Sequence, residues 1–235
     1  MVGATALLAG AHTSLFYGHL VDDAYITFRF ADNLASGHGV VWNRGEAPIE
    51  GYTNFSWMLL SALARALGLS PHRVMLVVGL VCGVGCVAVC VLAARHLAGA
   101  REGGEVPRAA GAVAGLFAAT CTGLALYATT GLETALHTLL FTCGAFALVQ
   151  RRPLVFGALV GAAFLTRPEA GLLGVVGLAF FALSPARSEA RWRDLVKAAS
   201  VMAAIVLPYL AFKALTFGSI FPNTLAGHPG CGQAK

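Results

Sequence analysis

The chain is 235 residues long, 57% hydrophobic and only 11% charged, with a mean hydropathy of +0.74. Soluble domains are about 45–50% apolar and about 25% charged, so this composition excludes an ordinary soluble domain and points to an integral membrane protein. The formal net charge of +5 is no nucleic-acid signature, because the basic residues fall in short clusters between apolar runs.

In chain order, the first twenty residues contain no Asp, Glu, Lys or Arg. They are just long enough to span a hydrocarbon core of about 30 Å. With no basic start and no A-x-A site, residues 1–21 read as a retained anchor rather than a cleaved leader. The missing basic start leaves room for a true N-terminus upstream. Residues 22–71 form a long polar loop. Within it, residues 24–35 mix Tyr25, Ile26, Phe28 and Phe30 with Arg29 and Asp32, which predicts an interfacial helix with its aromatic side toward lipid. Gly37, Gly39, Gly45 and Pro48 mark a loop. Thr53 or Asn54 caps a second helix over 55–67, closed by Gly68 with Pro71 beyond. At about 13 residues that helix is too short to cross.

Residues 74–97 predict a full span. Two further runs, 109–129 and 132–149, are joined by a turn at Thr129, Thr130 and Gly131. The runs 154–166 and 170–183 are each only about 20 Å of helix, and the charged bend Thr166-Arg167-Pro168-Glu169 interrupts them. A last span is expected over 198–216. The expected fold class is therefore all-α: a polytopic membrane protein with about seven transmembrane or half-spanning helices. Cys82, Cys86 and Cys90 form one stripe on a helix beside Gly79 and Gly83, a small-residue surface for close packing.

Lys and Arg counts set the orientation. Arg95, Arg101 and Arg108, then Arg151 and Arg152, then Arg187, Arg191, Arg193 and Lys197 occupy alternate links, which are therefore cytoplasmic. The outer face receives the 22–71 loop, the turn before Glu133, the Arg167–Glu169 bend and the C-terminal tail. Every conspicuous polar feature falls on one side.

Adjacent Asp22 and Asp23 are either interfacial acids ending a helix or a desolvated pair able to act as general base or hold a divalent metal. Glu133 follows a turn, where an acid is favoured by the helix dipole, and is equally a candidate cleft residue. Arg167 and Glu169 lie where charge is expensive. They read as a structural ion pair or as a phosphate clamp, since Arg grips phosphate in fork geometry. His12, His19, His38, His137 and His228 show no zinc spacing, and there is no phosphate-binding loop, nucleophile elbow or dinucleotide fingerprint.

Taken in order, DDAYITFRF at 22–30, GHGVVWN at 37–43, EGYTN at 50–54, TGLET at 130–134, LTRPE at 165–169 and FPNT at 221–224 resemble the GT-C membrane glycosyltransferases. The resemblance is to the branch with the terminal arabinofuranosyltransferases of actinobacterial cell walls. It covers residues 21–224 and implies a transmembrane catalytic region over 1–224, with 22–71 as its first extracytoplasmic loop and 225–235 as a divergent tail. It implies a site on the extracytoplasmic side of the cell membrane, a polyprenyl-phosphate sugar donor carrying arabinofuranose or a hexose, and a glycan, lipid or protein acceptor. Carried over, Asp22 or Asp23 deprotonates the acceptor hydroxyl while the other orients it or binds a metal. Arg167 meets the leaving phosphate, and Glu50, Tyr52, Glu133, Glu169 and Asn223 line the cleft. Such proteins usually continue for several more membrane helices, so the chain is expected to be a truncated N-terminal portion, inactive or poorly active alone. A non-enzymatic protein of the same fold and, less well supported, a transporter are the competing readings.

Overall fold

The computed structural model describes residues 2–16, 18, 21–102, 108–184 and 188–220. Among them every regular element is helical: α1 (Val2–Ser14), α2 (Asp22–Ala35), α3 (Phe55–Ala66), α4 (Pro71–Glu102), α5 (Arg108–Ala119), α6 (Thr122–Tyr127), α7 (Thr134–Val149), α8 (Pro153–Thr166), a 3-10 turn (Pro168–Ala170), α9 (Gly171–Leu183) and α10 (Ser188–Phe217). Among the described residues two stretches, Pro71–Gly99 and Glu189–Phe217, are long and apolar enough to cross a membrane.

The helices pack in a row. α4 lies against α1, α5 and α7; α7 lies against α8; and α8 lies against α10, with α9 flanking α8 and α10. Glycines make the seams close. A Cβ on Gly157 of α8 would collide with the Ala198 backbone of α10, and one on Gly79 of α4 would collide with the Ala128 carbonyl. Small residues let backbones approach where lipid supplies no hydrophobic drive. The expected role of Gly79 and Gly83 is met here, since both face Ala128. Cys82 and Cys86 of the adjoining stripe are buried as free thiols.

Across one end of this row lies the α2–α3 pair, with α3 against α4 and α8. Its register is fixed by aromatic burial. Ala24, Phe28, Trp57 and Met75 form one cluster, and Phe30, Ala31, Val40, Tyr52, Met58 and Ala62 form a second. The expected orientation of α2 is corrected by these contacts. Phe28 and Phe30 are buried inward, and Tyr25 alone of its aromatics is exposed. Turning the face inward buries each ring against protein, worth about 1.5–3 kcal/mol per side chain relative to water.

Helix ends follow their turn residues. α2 and α3 both close in the Schellman pattern, with Gly37 (φ 79) and Gly68 (φ 74) as the left-handed residues. In α3 the Gly68 N–H bonds the Arg65 carbonyl and the Leu69 N–H bonds the Ala64 carbonyl.

Of the expected spans, the last, expected over 198–216, starts ten residues earlier at Ser188 in α10, and two others are shorter or broken. α1 is 13 residues, and positions 1, 17, 19 and 20 of the expected anchor lie outside the described residues. The run 109–129 is broken into α5 and α6 at Thr120 and Cys121. Thr120 Oγ1 donates to the Leu116 carbonyl at 2.8 Å, and His12 Nδ1 donates to the Ala119 carbonyl at 3.1 Å. The Ala119 carbonyl at the end of α5 is thus met by a side chain from α1, while the Thr120 hydroxyl adds a second bond to the Leu116 carbonyl, which already accepts the Thr120 N–H.

Candidate functional site

A cavity of about 610 Å³ opens between the α2–α3 pair and the ends of the row, within the usual 300–1,000 Å³ range of ligand clefts. One wall is α2, contributing Asp23, Ile26 and Thr27; another is the segment 50–54; the rest comes from Tyr127, from 132–134 and from Arg167. Three sequence motifs that lie far apart in the chain therefore share one space.

The segment 50–54 runs along the cavity because its side chains are tied on both sides. Gly51 passes over the Phe30 ring, which a Cβ would meet at 2.9 Å. Asn54, the residue preceding α3, makes no side-chain cap on its own helix. Its Nδ2 donates instead to Glu133 Oε2 at 2.8 Å and to Thr27 Oγ1 at 3.0 Å. The capping role expected of it is given up for a buried bridge between α2, the loop and α7. Trp57 Nε1 donates to the Gly131 carbonyl at 2.9 Å, which pins the turn carrying Glu133 against α3. Gly131 has φ 77, so only glycine takes this turn without strain.

Glu133 is buried (8% exposed) and faces Arg167, with Oε1 3.8 Å from Nη1. Arg167 also pairs with Glu169, Nε to Oε1 at 2.6 Å. Its backbone is extended (φ −153, ψ 124) between α8 and the 3-10 turn, the break that Pro168 requires of its predecessor. The bend is held to α3 by a 2.8 Å bond between Ser56 and Thr166 hydroxyls. Glu169 is not among the cavity-lining residues and is largely exposed. Burial raises its pKa, but a backbone N–H and the Arg167 guanidinium outweigh that and hold it below its ordinary value.

At the other end of the 50–54 segment, Glu50 Oε1 pairs with Lys213 Nζ at 2.8 Å, each side chain only 3% exposed. Lys213 lies on α10, near the Tyr209 ring. Tyr52 packs on Phe30, and its hydroxyl is buried with no hydrogen-bond partner among the described residues. Burial, then Tyr209 and Glu50, push the phenol above its ordinary value, so at neutral pH it is an O–H donor.

Asp22 and Asp23 are the first two residues of α2 and both are exposed. Successive residues on a helix diverge by about 100°. Asp23 lines the cavity and Asp22 does not. Among the described residues no group of three or more His, Cys, Asp or Glu side chains is placed to hold a metal ion. The two adjacent acids do not by themselves make a metal centre. Asn223 lies outside the described residues. The site thus brings together Asp23, Glu50, Tyr52, Glu133 and Arg167, with Glu169 behind Arg167. Lys213, to which sequence reasoning gave no role, carried a usable signal: a lone Lys inside an apolar span.

Comparison with protein-family models, curated proteins and solved structures finds no match.

Proposed function

We propose that the chain is a multi-pass membrane glycosyltransferase of the GT-C type. In this reading about seven transmembrane or half-spanning helices carry a cleft that faces the extracytoplasmic side. It takes a sugar, arabinofuranose or a hexose, from a polyprenyl phosphate and gives it to an acceptor hydroxyl of a glycan, lipid or protein. The observation that supports this most is the meeting of an exposed carboxylate, Asp23, and a guanidinium, Arg167, on the walls of one cavity. These are the two charges that glycosyl transfer from a phosphate requires.

Asp23 takes the proton of the acceptor hydroxyl. The acceptor oxygen then bonds to the anomeric carbon as the bond from that carbon to the phosphate oxygen breaks. The polyprenyl phosphate leaves with the electron pair, and Arg167 meets its charge with donors already in place. Glu133, bridged by Asn54, and Glu169 hold the guanidinium toward the cleft. Asp22 is the weaker candidate for the base because it does not line the cavity.

The test is sugar transfer in membranes carrying the 235-residue chain, supplied in turn with arabinofuranosyl and hexosyl polyprenyl phosphates. Asp23→Asn is expected to lower transfer by about 10²–10⁴-fold, and Asp22→Asn by much less. Equal activity in wild type and Asp23→Asn removes Asp23 from the mechanism. Absence of transfer from every donor tried speaks for the truncated or the non-enzymatic reading.

A further inference from the structure

Arg29 and Arg44, both exposed and outside the cleft, line a second cavity of about 430 Å³ together with Asp32, Asn33 and Trp42. Its size lies within the usual range of ligand clefts, and its lining holds no aliphatic residue. The GHGVVWN stretch, to which the transferase reading gives no role, builds it. Asn33, buried on α2, donates from Nδ2 to the Val41 and Trp42 carbonyls at 2.8 and 3.1 Å, clipping that loop to the helix. The Arg29 guanidinium lies over the Trp42 ring, 4.4 Å from its centroid. Its Nε donates to the Trp42 carbonyl at 2.9 Å and its Nη2 to Asn43 Oδ1 at 2.6 Å. A stack and two bonds thus order a long side chain before any ligand arrives, which removes a cost of binding. Arg44 makes one long bond, Nε to Asn33 Oδ1 at 3.4 Å. Nη1 of Arg29 and both Nη atoms of Arg44 have no acceptor among the described residues.

The neighbouring carboxylates are engaged elsewhere. Asp32 pairs with Arg65 at 3.1 Å, and Glu46, bonded to Asn43 Nδ2 at 2.9 Å, does not line the cavity. The cavity also sits on the polar side of the α2–α3 pair. Asp22, Tyr25 and Arg29 are exposed at helical spacing along α2, with Asp32 half-exposed next in that row. The exposed leucines of the pair, Leu59, Leu60 and Leu63, belong to α3. We propose that this cavity binds an acidic sugar from the aqueous side, its phosphate or carboxylate held by Arg29 and Arg44. Two guanidinium forks suit an oxyanion. A polar lining with room for more than a bare ion suits a hydroxyl-bearing ring and not a lipid tail. Helix rise puts Arg29 and Asp32 about 9–14 Å along α2 from Asp23, on a different face, so the site stands whether or not the cleft transfers sugar.

The experiment is calorimetric titration of the 235-residue chain in phosphatidylcholine nanodiscs at low salt. The probes are mannose 6-phosphate, glucuronate, mannose and inorganic phosphate. At least one acidic sugar is expected to bind about 10-fold or more tightly than mannose and than phosphate. Arg29→Gln and Arg44→Gln each weaken that binding about 10-fold, and added salt weakens it in wild type. Arg167→Gln in the cleft and Arg73→Gln, an exposed charge on α4, leave it unchanged. Arg44, held by one long bond, is the safer substitution and decides where Arg29→Gln does not fold. Binding that follows Arg167 instead places the sugar in the cleft and overturns the second site. Phosphate binding as tightly as the acidic sugars overturns the sugar ring as ligand. Loss of sugar binding in phosphatidylinositol nanodiscs makes the ligand a lipid headgroup and overturns the aqueous source. No saturable binding of either acidic sugar overturns the proposal and leaves the transferase reading untouched.

Discussion

Two cations flank the cleft, each paired with carboxylate, and they differ in almost everything else. Arg167 is held by two acids at 3.8 and 2.6 Å with its side chain 39% exposed, whereas Lys213 has one at 2.8 Å with both side chains 3% exposed. The guanidinium has five donors in a fork and can keep one carboxylate while offering an edge to an incoming anion. The ammonium is spent on Glu50 and walled in by α10. An exposed pair is screened and exchangeable; a sealed pair is costly to break because the survivor stays buried and uncompensated. The same charge chemistry thus serves as a docking point at one end of the cleft and as scaffold at the other.

The contrast is broken most directly by splitting the sealed pair. Lys213→Met or Glu50→Ala alone is expected to cost about 3–5 kcal/mol, and Glu50→Met with Lys213→Met to recover most of it, read by thermal unfolding in detergent micelles. Singles no worse than Arg167→Gln would erase the distinction. Arg167→Gln itself is expected to cost under about 1 kcal/mol of stability, discounted for solvent exposure, while weakening undecaprenyl phosphate binding by about 10-fold or more. Glu169→Gln sharpens the picture: freeing the guanidinium should strengthen that binding about 2- to 3-fold at low salt, with the gain fading as salt rises. The smallest effect is in pH. Glu169, in the turn outside the helices, has its pKa held below the ordinary 4.5. Its stabilising contribution is therefore complete above about 4.5 and is lost only as pH falls through the lower folded value. An unfolding midpoint that depends on Glu169 near neutral pH would contradict this.

What the sequence made legible was local chemistry. The bounds of α3 fall within one residue of expectation, because Gly68 can take the left-handed conformation that ends it. The break at Arg167 follows from Pro168. Counting cations in alternate links put the 22–54, 131–134 and 167–169 motifs on one side by expectation, and one cavity brings Asp23, the segment 50–54, 132–134 and Arg167 of them together. What escaped was set by partners far along the chain. Hydropathy could not see the break at Thr120, since His12 of α1 helps satisfy the carbonyl it exposes. Nor could periodicity say that Phe28 and Phe30 face protein rather than lipid, because both environments reward an apolar face. Asn54 offered a helix cap by its type and position, but its Oδ1 accepts from the Thr27 hydroxyl and its Nδ2 donates to Glu133, 79 residues later. Asp22 and Asp23 were inseparable as letters; the helix they begin separates them.

The bond from Trp57 to the Gly131 carbonyl makes the floor of the cleft optically addressable. Trp57 is fully buried, and the chain has only two other tryptophans, Trp42 and Trp192. With those two replaced by Phe, the remaining indole emits from a dry, hydrogen-bonded setting on the turn that carries Glu133. Any ligand that pulls Glu133 and its turn toward Arg167 strains that bond, so the emission maximum becomes a stopped-flow clock for the arrival of the anion.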